Sequence, residues 1–398
     1  MNLSIQSIAE RLRSARETTG MSTRVVAHRL KERGLDISHT SLSNYETAKL
    51  PAPVALIDSL ATLYGRPREW FLQVGPLLTH VRYRALKAVK VADKRAFEGE
   101  ALGWFQAYLA VERSVDDPLV HPMRTFPVKS SETGASVAAR VRGAYKFQNY
   151  PVPGVIRLVE NFGIRVIQLY TDARIDGIAA WLGTVPVVAL NQNLSNDRIR
   201  MNAAHELGHH LFEDCAVGAT PSHDEIERRA MDFASHLLIP DDMLRAAFEL
   251  KSMVRLVQYK ERFGISLAAM LHRAEHSRIL SPKLARTLWI KFGELGWRKD
   301  EPGYVPPDRP MRMESLFDAA VHQKKMTLAD IAATAGVDER AVRQRVFLAM
   351  GGSPDSFEPR QDTSSLRIDQ FFREQSTQKE FDDGGVSKAP VSRPSVDR

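Results

Sequence analysis

The pentapeptide His205-Glu206-Leu207-Gly208-His209 constrains its own backbone more tightly than any other stretch of this chain. In a strand, two histidines four residues apart stand roughly 13 Å from each other. On an α-helix the same spacing puts their Cβ atoms about 5–6 Å apart on one face, where both imidazoles can reach one ion. Glu206 then projects beside the pair, placed to take a proton from a water held at that ion. Ala203, Ala204, Leu207, Leu211 and Phe212 are helix-compatible and supply an apolar face, so a helix is expected from about Asp197 to Phe212.

A catalytic zinc needs a third protein ligand and an open position. Downstream, Ala230, Phe233, Ala234, Leu237 and Leu238 form an inward stripe on a second helix, expected over 224–238 and stopped by Pro240. Glu227 falls on that inward face at its N-terminal edge, where packing explains a carboxylate poorly and a cation explains it well. Helical phase favours Glu227 and leaves Asp224, Glu225, His223 and His236 open as competitors. Between the two helices lies Cys215, the chain's one cysteine. It excludes an intramolecular disulfide framework and fits a reducing compartment, and it reads as a small buried hydrophobe.

Upstream of the metal motif, Arg165–Leu169, Ile178–Leu182 and Val185–Leu190 have β-branched, apolar runs bounded by glycine and asparagine, the pattern of short strands. Helices are expected at 136–147 and 153–162 before them and through about residue 292 after them. Residues 81–113 read as one long helical stretch whose beginning is basic: Arg82, Arg84, Lys87, Lys90, Lys94 and Arg95.

The HELGHHLF segment, the E-x-x-A-x-x-F-A-x-x-L-L-x-P run from Glu227 to Pro240 and the upstream Asp197-Arg198-Ile199-Arg200 resemble the ImmA/IrrE family of metallopeptidases. The similarity spans roughly residues 135–300 and takes in the strand pair around Trp181 and Pro186, Gly264-Ile265-Ser266-Leu267, and Gly296 to Pro302. Met231 stands where the family often has asparagine. The resemblance implies a zincin-like fold, His205, His209 and Glu227 as zinc ligands, and Glu206 as general base of peptide hydrolysis. It also implies the substrate class: such enzymes cleave Cro-type repressors in stress-response or mobile-element circuits. The oxyanion-stabilising group stays unassigned, with His236 the one side chain considered for it.

Near the N-terminus the pattern is of short amphipathic helices punctuated by Gly20, Gly34, Pro51, Pro53 and Gly65. Ser38-His39-Thr40-Ser41-Leu42-Ser43-Asn44-Tyr45-Glu46 has the small polar side chains that can approach base edges and phosphates. This run resembles the recognition helix of the Cro/C1-type (XRE) helix-turn-helix, with 11–30 and 54–72 matching its flanking helices. The resemblance implies double-stranded DNA as a partner, read by His39, Thr40, Ser41, Ser43 and Asn44. The turn Lys31–Ile37 is longer than usual for that family, and Thr23 replaces its common glutamine.

Charge is a weaker guide. A net charge of +7 over 398 residues leans toward a polyanionic partner. With no signal-peptide pattern and no apolar run of spanning length, a cytoplasmic location and no membrane contact are expected. Residues 314–346 have a helix-turn-helix rhythm that reads as a packing element.

The expected fold class is therefore α+β, mostly helical. It comprises a helix-turn-helix domain (1–75), a helical connector and linker (76–133), a metallopeptidase domain with a small sheet (134–302), a small separate helical unit (303–350) and a polar, disordered tail (351–398). The expected function is a zinc endopeptidase fused to a DNA-binding domain. The alternatives are a DNA-binding regulator whose zinc domain senses a ligand or partner without cutting, and one half of a toxin–antitoxin or phage-defence pair. Oligomeric state is not legible, although modules of this kind often dimerise.

Overall fold

The computed structural model describes residues 5–349 apart from 73–75, 86–87, 120–125, 130, 214–221 and 250–251. Cys215 and the tail expected at 351–398 lie outside the described residues.

Five helices open the chain: α1 (Ile5–Thr18), α2 (Thr23–Glu32), α3 (His39–Glu46), α4 (Val54–Tyr64) and α5 (Arg68–Phe71). Ser22 and Ser38 sit in extended conformation just before α2 and α3, and their side chains accept from the Val25 and Ser41 amides, so each helix starts where its cap stands. Leu12, Leu30, Leu42, Leu60 and Trp70 meet in a shared core. Arg16 grips the Glu46 carboxylate at both oxygens, 2.7 and 2.8 Å, which fixes α3 against α1.

The next segment departs from the expected long helix over 81–113. Leu78–Ala85 is a strand, β1, and the helix begins only at Val91 (α6, Val91–Ser114). The physical reason is a period of two rather than 3.6: Arg82 and Arg84 alternate with Val81, Tyr83 and Ala85. The partner that settles it is remote in sequence, since β1 pairs antiparallel with β3, about a hundred residues downstream.

Helices α7 (Gly134–Ala144) and α8 (Val155–Asn161) precede strands β2 (Arg165–Leu169), β3 (Ile175–Leu182) and β4 (Val185–Asn191). The sheet order is β1-β3-β4-β2, with β2 parallel to β4 and the remaining pairs antiparallel. Both faces are covered, which is why these strands read as nearly continuous apolar runs. Val166, Ala179, Val188 and Leu190 face α9 (Asn196–Leu211) and the helices behind it. Ile167, Ile178, Ala180, Val187 and Ala189 face α6 and the last three helices, α15 (Arg312–His322), α16 (Leu328–Ala335) and α17 (Glu339–Ala349).

The unit expected to be separate at 303–350 therefore shares its core with α6: Phe317 stacks on Trp104, and Ile331 and Ala335 join the same cluster. The N-terminal helices are docked too. Arg11 on α1 donates to Gln106 on α6 at 3.2 Å, Arg95 pairs with Glu17 at 3.0 Å, and Arg66 donates to the Gly336 carbonyl.

Behind α9 stand α10 (His223–Leu238), α11 (Asp241–Glu249), α12 (Met253–Phe263), α13 (Leu267–His276) and α14 (Pro282–Glu294). Glu301 accepts from the Leu267 and Ala268 amides at the start of α13 and pairs with Lys260, which also holds Asp197 in the first turn of α9. Arg200 on α9 pairs with buried Asp308, whose other contacts cap the start of α8. These two ion pairs fix the approach of α9. No helix among the described residues is long and apolar enough to cross a membrane.

Candidate metal centre

Helix α9 carries His205 and His209 one turn apart with their Nε2 atoms 3.0 Å from each other. Across the gap to α10, Glu227 places its two oxygens 3.2 Å from His205 Nε2 and 3.4 Å from His209 Nε2. Ligand atoms about 2.0–2.1 Å from one ion at tetrahedral angles stand roughly 3.3 Å apart, so the three measured separations have the size a single small cation requires. Two imidazoles and one carboxylate also form a donor set suited to zinc.

The protonation states agree with that fit. His205 is only 1% exposed, and burial, helped by the nearby positive charge of Arg84, lowers its pKa to about 3, so its ring is neutral. Burial pushes the Glu227 carboxyl up, but hydrogen bonding to His205 and His209 outweighs it, and the group lies well below the usual carboxylate range. Neutral imidazole and ionised carboxylate are the forms that bind metal.

Glu206 is 1% exposed, and neither carboxylate oxygen has a hydrogen-bond partner among the described residues. Burial raises its pKa to about 7, against the opposing influence of His209 and Arg84. A buried, unpartnered carboxyl beside a ligand cluster is costly to the fold and useful to a proton transfer. The residue after His209, His210, plays a different part: its Nε2 lies 3.2 Å from the Val187 carbonyl and Trp181 packs edge-on against its ring at 5.6 Å, fastening α9 to the sheet.

The competing ligands are elsewhere. Asp224 and Glu225 are exposed in the first turn of α10. His236 lies nine residues beyond Glu227, with its Nδ1 2.8 Å from the Asp232 carbonyl and 3.1 Å from the Asp232 carboxylate. It lines a cleft but does not join the ligand group. The side chain of His223 is outside the described residues.

Sequence reasoning missed Arg84. Its register partner is Gly177 on β3, and it contacts Asp176 at 3.4 Å, which Arg198 of α9 holds in turn at 2.9 Å. The alternation along β1 was the available signal. Arg84 and Asn202 line a cleft of about 940 Å³, as do Met231, His236 and His272.

At the other end of the chain, α3 presents His39, Thr40 and Ser43 to solvent, with Ser41 and Asn44 half-buried and Leu42 turned into the core. The five residues expected to read DNA thus share one short helix. Six residues separate α2 from α3, the long turn expected from Lys31–Ile37.

Two segments match known family models. Residues 159–275 match the IrrE N-terminal-like domain, a peptidase family, and residues 7–70 match a helix-turn-helix domain. The first match holds β2, β3, β4 and His205, His209 and Glu227, and leaves β1 and α6 outside. No curated protein matches the chain.

Proposed function

For a chain that joins a helix-turn-helix domain to an IrrE N-terminal-like domain, we propose a zinc-dependent regulatory endopeptidase that cleaves a Cro-type repressor. The observation that carries the reading is the convergence of His205, His209 and Glu227 around one point, with Glu206 buried and unpartnered beside it. His205 and His209 would hold the ion from α9 and Glu227 from α10. When bound there, zinc supplies Lewis acidity that brings the pKa of water toward about 7 and polarises a carbonyl.

The remaining work falls to the chain. Glu206 accepts the proton of the attacking water as the new C–O bond forms, and returns it to the amine nitrogen as the C–N bond breaks. A carboxyl held near neutrality by burial suits both transfers at one pH. The docked N-terminal module, with α3 facing outward, would deliver this chemistry to DNA or to a repressor bound there.

Elemental analysis of protein purified without chelators tests the reading. About one zinc per chain is expected, lost in both His205→Ala and Glu227→Ala, and the loaded protein should cut its cognate repressor. Protein without zinc, or with zinc indifferent to both changes, would overturn it.

The near-complete burial of His205 and Glu206 favours one second reading, a DNA-binding regulator whose metal site senses a partner without cutting. It predicts that Glu206→Gln leaves regulation intact.

A further inference from the structure

Among the described residues two asparagines are buried, and they use their side chains in opposite ways. Asn191, at the end of β4, donates to the carbonyls of Thr171 and Ile175 and accepts from the Asn193 amide at 2.9 Å. It is a structural residue that ties a loop to the sheet. Asn202 is 0% exposed, yet neither its amide nitrogen nor its carbonyl oxygen has a partner among the described residues.

The position of Asn202 gives this contrast meaning. It precedes His205 by three residues and Glu206 by four, so on α9 it stands on the metal-facing side one turn toward the N-terminus. It lines the cleft together with Arg84 and Met231, and Met231 in turn follows Glu227 by four residues on α10. On both helices a residue lining the cleft therefore stands one turn from a residue of the candidate ligand group. A buried carboxamide with both ends unpaired costs free energy in the unliganded protein. Its chain neighbours Ala203 and Ala204 are equally buried but carry no polar side-chain atoms.

A carboxamide offers what a peptide group needs. It carries donors and an acceptor side by side, and a peptide unit carries one of each, so the two can pair reciprocally. The pairing reads main chain and ignores side chains.

We propose that Asn202 is a substrate-positioning residue, whose carboxamide donates to a carbonyl and accepts from an N–H of the peptide main chain lying in the cleft. The proposal rests on the peptidase reading above and adds to it a class of recognition: backbone of an extended segment, held one turn from the ion. It fixes where the chain lies relative to Glu206 and leaves sequence preference to the rest of the cleft.

The test compares two probes on the zinc-loaded protein: acetohydroxamate, which reaches only the ion, and acetyl-alanyl-alanyl hydroxamate, which adds main chain. The wild type should bind the peptidyl probe about tenfold more tightly. Asn202→Leu should erase that difference, leave acetohydroxamate and zinc affinity unchanged, and raise the Tm of the unliganded protein by about 2–4 °C. Asn202→Ala should erase the probe difference as well and serves if the leucine variant does not fold. A tenfold preference that survives in the variants, or a wild type that does not distinguish the probes, would overturn the proposal. So would a fall in Tm with leucine, the mark of a structural asparagine. Failure of both probes to bind wild type would instead strike the metal reading itself, and Asn202 would fall with it.

Discussion

Gly208 lies against the backbone of Ala230: a Cβ at Gly208 would stand 3.3 Å from the Ala230 Cα and 3.1 Å from the Phe233 ring. This contact sets how closely α9 approaches α10, and Glu227 is one turn from Ala230. The glycine between the two histidines is therefore a spacer of no size, and it lets a carboxylate on one helix reach imidazoles on another. Gly208→Val should push the helices apart and weaken zinc binding by about tenfold or more, read by competition with a chelator of known affinity. Unchanged affinity would show that the helix spacing does not set the ligand geometry.

Glu206 touches none of the three ligand atoms in a hydrogen bond, so its role separates from theirs. Glu206→Gln should retain about one zinc per chain while turnover of the repressor falls by at least about a hundredfold. Gel analysis beside elemental analysis gives both readouts. A variant that loses the metal together with the activity would make Glu206 a structural support of the site.

Away from the metal, Glu160 on α8 gives a pH prediction. Burial, reinforced by the negative charge of Glu314, raises its pKa from 4.5 to about 8. The folded state thus holds a proton that the unfolded chain releases near pH 4.5. Stability contributed by this group is complete below that pH and declines as pH rises toward 8, by up to about 4 kcal/mol. Glu160→Gln keeps the neutral form at every pH. Its Tm should exceed that of the wild type at pH 8 and match it at pH 4.5. Equal Tm values at both would mean that Glu160 is ionised and paired in solution.

Gly336 ends α16 in the left-handed conformation, φ 70°, with the Arg66 guanidinium and the Trp70 ring where a side chain would go. A Cβ there would lie 2.6 Å from Arg66 Nη1 and 2.7 Å from Trp70 Cδ1. Gly336→Ala should cost about 1–3 kcal/mol and loosen the N-terminal helices from the body. Limited proteolysis should then release the N-terminal helices faster than in wild type. An unchanged cleavage rate would show that the docking does not depend on this contact.

The sequence carried the local rules and not the long-range ones. β2 could be read residue for residue because Val166, Ile167 and Leu169 are apolar and the strand is bounded by Gly163. Glu227 was legible because helical phase places it on the stripe of Ala230 and Phe233, a pattern contained in one helix. β1 was not, because Arg82 and Arg84 look like a solvated helical face until β3 is beside them. The last three helices looked separate because the surface they cover, on α6 and the far side of the sheet, lies some two hundred residues upstream. Asn202 was invisible for a further reason: a side chain marked by the partners it lacks has no signature in sequence.

β1 has another consequence. It comes from outside the segment that matches the IrrE N-terminal-like domain, yet it closes the β3 side of that domain's sheet. Taken alone, the matched segment would leave β3 as an edge of the sheet, a largely apolar strand open to one from a second copy. β1 takes over that edge, and its two register irregularities and its arginines, Arg82 and Arg84, make it a poorer template for another strand.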